Sequence, residues 1–170
     1  MLESIKPFIF RMLRVTCTAY ARRKVARHGV GFTVNFPCMF SPSTEIGNYC
    51  HFNGMKVRGL GRLSIGDYFH SGEDILILTQ NHNYKNPAVL PYDDVIVPRD
   101  VCIGAYVWIG SRAMILPGTE LGDGCIVQGG AVVSGRFAPN AIIGGNPAKV
   151  IRYRDAALVE RLVAEGRFQL

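Results

Sequence analysis

An aliphatic residue returns every six positions along one stretch of this chain: Ile103, Ile109, Ile115, Leu121, Val127 and Val133. Four residues after each of the first five stands a smaller interior-type residue: Val107, Ala113, Thr119, Cys125 and Ala131. Turn formers such as Gly104, Gly110, Gly122 and Asn140 punctuate the two series. A helix repeats every 3.6 residues and a simple strand every 2, so neither produces this order. A strict six arises when each face of a triangular coil takes six residues and three faces complete a turn. The aliphatic residue then points into the prism and the small one fills the space beside it. Gly and Asn take the turn sites because they reach φ > 0 at the least steric cost. The pattern predicts an all-β, left-handed parallel β-helix, a repeat fold whose coils bury their faces only by stacking.

At 170 residues the chain is one domain's worth, ample for a buried core. Its five cysteines show no paired CxxC spacing. Cys38, Cys50 and Cys125 fall on the small interior positions, which reads as reduced, apolar filler. No uninterrupted apolar run is long enough to span a bilayer. Arg11 and Arg14 cut what would otherwise be a signal-peptide core, and no small-residue cleavage site follows. The expectation is a cytoplasmic protein.

Residues 1–30 form a basic, helical N-terminal segment. Ile5, Phe8, Ile9, Met12, Leu13 and Tyr20 recur at roughly helical spacing among Lys6, Arg11, Arg14, Arg22, Arg23, Lys24 and Arg27. Pro7 must lie in a first turn or break the helix. Much of the net charge of +6 sits here. Two readings stay open: a cap packed on the first coil or on a neighbouring subunit, or a basic amphipathic helix (residues 2–27) on an anionic membrane face. A nucleic-acid role would need basic residues interleaved with stacking aromatics in a recognisable module, and none occurs.

The β-helix is expected over residues 31–152. Its sixes run Val34, Phe40, Ile46, Phe52, slip by one across 56–62, and resume at Ile65, Ser71 and Ile77. Residues 80–99, with three prolines, have no six-fold order and read as a protruding functional loop. Residues 153–170 carry a short helix, with Asp155 as N-cap, Leu158, Leu162 and Val163 on one face, and Gly166 as the stop.

Of the four histidines, His82 opens the excluded loop where the repeat breaks. A neutral imidazole there can take a proton from a hydroxyl near pH 7. His51 and His70 occupy the same step of their sixes, which puts them on one edge of the prism. With no closely spaced ligand pair and no obvious acidic partner, no metal is expected. Glu73, Asp74, Asp93 and Asp94 lie in or near the loop in sequence, where any of them could orient His82, bind a substrate, or be solvated.

The set I103-G-A-Y-V-W-I-G110, L116-P-G118, L121-G-D-G, G130-A-V-V-S and G144-G-N-P-A-K-V-I-R152 resembles the hexapeptide acyltransferases. Most similar are the galactoside, maltose and xenobiotic O-acetyltransferases and relatives from polysaccharide gene clusters. The resemblance implies a homotrimer with active sites between subunits, each binding acetyl-coenzyme A and a sugar or glycan acceptor. It implies direct acetyl transfer to a hydroxyl, with His82 as general base beside Asn81. Trp108 would wall the site near the thioester, and the Ser111 N–H would steady the oxyanion. Gly129 and Ser134 would meet the pantetheine arm, and Lys149 and Arg152 the coenzyme phosphates. His51 and Asn53 match a segment whose asparagine contacts the acceptor sugar; histidine at 51 departs from that family's better-known members. N-acetylation of an amino sugar and a non-catalytic scaffold remain as alternatives.

Overall fold

The computed structural model describes the backbone of residues 2–169 and the side chains of residues 9–169. Most of that chain winds into a left-handed parallel β-helix with three flat faces. The first face stacks Arg27–His28, Thr44–Ile46, Leu63–Ile65, Val101–Ile103, Glu120–Leu121 and Arg136–Phe137. The second stacks Thr33–Phe36, His51–Asn53, His70–Ser71, Trp108–Ile109, Ile126–Val127 and Ala141–Gly145, and Ala148–Tyr153 pairs antiparallel onto its end. The third stacks Met55–Arg58, Ile75–Leu78, Met114–Ile115 and Val132–Val133.

Both sixfold series point inward as expected. Ile103 through Val133 are buried, and so are Val107, Ala113, Thr119, Cys125 and Ala131. The interior is a ladder of like on like, for example Ile77 paired with Ile115 and Ile115 with Val133. The coil from Glu45 to Ser64 is one residue longer than the one above it, from Arg27 to Glu45, or one farther below, from Cys102 to Glu120. That matches the slip expected between 56 and 62.

Two expectations need correcting. The first coil begins with Arg27–His28, ahead of the expected start at residue 31, because Arg27 and His28 already pair with Glu45 and Ile46. Phe40 is only half-buried, packed edge-on against Phe52 at 5.2 Å. Large aromatics at the top of the prism crowd Phe40 toward the surface. Residues 80–99 do leave the coil as expected, and Gln80–His82 pairs antiparallel with Ile96–Pro98, so the excursion is a hairpin at its base.

The N-terminal helix α1 spans Leu2–Arg22 and passes through Pro7 in its second turn, so the proline costs one hydrogen bond without ending the helix. The side chains of Ile5 and Phe8 lie outside those described. Farther on, α1 lies over Thr33–Phe36, the open edge of the second face. Thr18 and Ala21 are buried there, and the Val34 N–H donates to Thr18 Oγ1 at 2.9 Å. An edge strand presents unpaired backbone donors, and α1 covers them. This is the capping role. Ile9, Phe10, Met12, Leu13, Val15 and Tyr20 remain exposed on α1. Among the described residues, no helix is long and apolar enough to cross a membrane.

The C-terminal helix α2 covers Ala156–Ala164, and the Leu158 N–H donates to the Asp155 carboxylate, as the cap requires. Its buried contact is Val159, whereas Leu158 and Val163 are exposed, so the apolar face turns by about one position from the one expected. Beyond α2 the chain folds back over the second face. Phe168 stacks on Tyr68 at 3.9 Å, and the Gln169 carbonyl lies 3.1 Å from His70 Nε2.

Candidate active site

The outer surface of the second face carries one column of side chains, Thr33, His51, His70 and Trp108, set one above another by parallel register. His51 and His70 therefore do share an edge, with ring centroids 4.8 Å apart. His51 Nδ1 is hydrogen-bonded to Thr33 Oγ1, and its Nε2 is buried without a partner among the described residues. Burial, then the neighbouring charges of His70 and Arg14, hold the His51 imidazole below its ordinary range. It is a neutral ring near pH 7. No group of three His, Cys, Asp or Glu side chains is arranged for a metal among the described residues.

Next to that column the chain turns from the second face to the third. Asn53 sits here, its amide donating to the Ser71 carbonyl at 2.6 Å and accepting from Asn35 Nδ2 at 2.7 Å. One coil further the corner is Gly72, and then Gly110. A Cβ on Gly72 would come within 2.5 Å of the Ser111 nitrogen, so the close approach of the coils requires glycine there. The coils close tightly at these glycines, and Trp108, two residues before Gly110, is 55% exposed on the second face. Ser111 and Gly129 stack at the same corner, and Gly130 N–H donates to the Ser111 carbonyl at 2.9 Å. Ser111 Oγ accepts from the Glu73 N–H at 3.0 Å. Glu73 and Asp74 thus belong to the Ser111 corner, away from the loop that sequence proximity suggested. Lys149 and Arg152 project from the antiparallel strand that ends this same face, paired with Gly144 and Ile142, and both are exposed.

His82 is elsewhere. The hairpin leaves the coil where the third face turns into the first, and His82 and Asn81 stand exposed at its base. They line an open cleft of about 360 Å³ with Lys85, Arg99 and Pro117. Tyr92, from the far arm of the excursion, stacks on the imidazole at 3.9 Å and 21°. Asp93 is spent on the loop itself. Its carboxylate accepts from the Ala88 N–H (3.0 Å), the Val95 N–H (3.1 Å) and Asn83 Nδ2 (2.9 Å). These donors, Ala88 first, keep its carboxyl below the usual range, so it is ionised at neutral pH. Ser134 follows the strand Val132–Val133 and lies on the His82 side of the prism, away from Gly129.

The expected site residues therefore form two groups on opposite edges of the third face. Asn81, His82 and Ser134 lie at one edge. Ser111 and Gly129 lie at the other, continuous with Trp108, His51, Asn53, Lys149 and Arg152 on the second face. Tyr92 and Asn35, which the structure brings beside His82 and Asn53, were not singled out from the sequence. Nothing local marks them, because their placement depends on how the hairpin and α1 fold back.

With this geometry in hand, relatives sharpen the picture. The family model described as bacterial transferase hexapeptide (six repeats) matches residues 94–135. A chloramphenicol acetyltransferase of Agrobacterium fabrum (strain C58 / ATCC 33970) is 31% identical over 144 residues, covering 67% of this chain and 69% of that one. The chain belongs to the hexapeptide-repeat acyltransferase family. A putative lipopolysaccharide biosynthesis O-acetyl transferase, WbbJ of Escherichia coli (strain K12), is 28% identical over 70% of this chain and 77% of its own length. Among solved structures, a galactoside acetyltransferase in complex with coenzyme A superposes with a TM-score of 0.71 at 25% identity, over 82% of this chain and 70% of that one. In this hexapeptide acyltransferase the hairpin interrupts the stack of coils between Leu78 and Val101.

Proposed function

We propose that this protein transfers an acetyl group from acetyl-coenzyme A to a hydroxyl of a sugar or surface-glycan precursor. The observation that carries the reading is His82. It is a solvent-reachable imidazole on a built hairpin, held by Tyr92 in an open cleft, in a chain of a known acyltransferase family. The coenzyme A bound to the galactoside acetyltransferase relative supports the donor, and the WbbJ relative supports a glycan acceptor. Five free thiols fit a reducing compartment, which in this reading is the cytoplasm.

In this reading His82 takes the proton of the acceptor hydroxyl as its oxygen attacks the thioester carbonyl. The negative charge that develops on the carbonyl oxygen is met by the Ser111 N–H; one such donor is commonly worth ~3 kcal/mol of barrier. The C–S bond then breaks, and the imidazolium returns its proton to the departing thiolate. Trp108 walls the thioester, Gly129 and Ser134 line the pantetheine path, and Lys149 and Arg152 meet the phosphates.

His82 and Ser111 lie on opposite edges of one prism, so one subunit's hairpin must serve its neighbour's Ser111 corner. A cyclic trimer closes that arrangement. The test is release of free coenzyme A from acetyl-coenzyme A against a panel of sugars, amino sugars and glycan fragments. Release that depends on one acceptor and disappears in His82→Ala supports the reading. Acceptor-dependent release that persists in that variant overturns it.

A further inference from the structure

Between α1 and the upper coils lies a second cleft, of about 790 Å³, lined by Phe10, Arg11, Arg14, Asn35, Phe36 and Asn53. Its described lining carries two guanidinium groups and no carboxylate. One wall is apolar, with Phe10 and Phe36 edge-to-face at 6.2 Å. The other is the amide pair of Asn35 and Asn53, locked to each other and to the Ser71 carbonyl. Arg14 lies close enough that its charge helps depress the His51 imidazole beneath it. A guanidinium presents planar, paired donors suited to phosphate oxygens, and two of them on one helix turn make a focused anion site.

Asn53 joins this cleft to the corner between the second and third faces. Asn53, Gly72 and Gly110 occupy the same turn on consecutive coils, with hydrogen bonds linking each coil to the next. Coils rise by the inter-strand spacing, so two steps place the Ser111 level about 10 Å from Asn53. That span matches the length of one sugar ring plus the phosphate ester that carries it. Trp108 stands on the second face at the Gly110 level.

We propose that this cleft selects a phosphate-bearing sugar as acceptor, with Arg11 and Arg14 binding the phosphate and Asn35 and Asn53 orienting the ring toward the Ser111 corner. The inference rests on the acetyl-transfer reading and names the substrate class for it. α1 then has two roles, covering the first coil with its inner face and holding the acceptor's charge with the arginine turn.

Calorimetric titration of the full chain tests this with glucose 1-phosphate, uridine diphosphate glucose and uncharged methyl glucoside. Each is run with and without saturating coenzyme A, so that binding at the coenzyme's own phosphate site is separated. A phosphorylated sugar should bind in both conditions, at least tenfold more tightly than methyl glucoside. Arg11→Gln with Arg14→Gln should weaken it by about 10- to 100-fold, and Asn35→Asp should weaken it likewise by adding a negative charge to the cleft. Coenzyme A affinity should be unchanged in all of them. Equal affinity for charged and neutral sugars, no phosphorylated ligand bound, or binding indifferent to the substitutions would each overturn the proposal. So would loss, in the double variant, of binding to phosphatidylglycerol vesicles alone, which would assign the arginines to a lipid surface. Failure of the wild-type chain to bind coenzyme A would instead strike the acetyl-transfer reading, and the phosphate titrations without coenzyme would still decide the cleft.

Discussion

His51 and His70 stack one above the other on the outer face of the prism, ring centroids 4.8 Å apart, because parallel register pairs their backbones. Burial, then the nearby His70 and Arg14, favour the neutral His51 ring. The unfolded chain has neither influence, so it binds the proton more readily. Stability at this residue is full above the ordinary histidine range and is lost as pH falls through the depressed folded value. Denaturant titrations from pH 8 to pH 5 should show stability falling below about pH 6.5. His51→Gln should flatten part of that fall. Identical pH slopes for the two proteins would refute this.

His82→Ala should lower turnover by roughly 10²–10⁴ while leaving coenzyme A affinity intact, as expected for loss of a general base. Tyr92→Phe keeps the stacking ring and should stay near wild type. Tyr92→Ala frees the imidazole and should lower kcat with little change in coenzyme A binding. If Tyr92→Ala turns over normally, the stack does not position the base.

Mixed assemblies test the proposed trimer and whether its site is shared. Chains carrying His82→Ala and chains carrying Trp108→Ala, each nearly inactive alone, should regain activity when unfolded and refolded together. A mixture no better than its components would argue that each chain builds its own site.

Asp93→Ala removes three hydrogen bonds that hold the hairpin excursion together. Amide exchange should speed up by about tenfold or more across residues 83–97, with the coil amides unaffected. Acid should act the same way on the wild type, since this carboxyl's depressed range means the bonds are lost only as pH falls through it. Exchange unchanged in the variant would show the loop to be held by other means.

Ile115 is fully buried between Ile77 and Val133 of the adjoining coils. Ile115→Ala should cost about 2–5 kcal/mol in chemical denaturation, from lost transfer energy plus a cavity that stacked coils cannot close. A cost below about 1 kcal/mol would mean that the stack relaxes around the gap.

Much of this fold is legible in the chain itself. The period of six places Ile109, Ile115 and Val127 inside, marks where the coil lengthens, and isolates residues 80–99 as an excursion. Those are local facts: each coil repeats the same backbone path, so side-chain direction follows from position alone. Asp155 and Gly166 bracket α2 for the same reason. What depends on docking was not legible. The Tyr92 ring over His82, the separation of His82 from Ser111 by the width of a face, and the Arg11–Arg14 cleft over Asn35 and Asn53 each join segments whose relative placement no periodicity encodes. The sequence by itself determined the prism and its interior, because burial of a repeating stripe admits one solution. Only the tertiary structure decided which outward-facing residues meet, because that rests on where a helix and a hairpin, free of the repeat, come to lie against it.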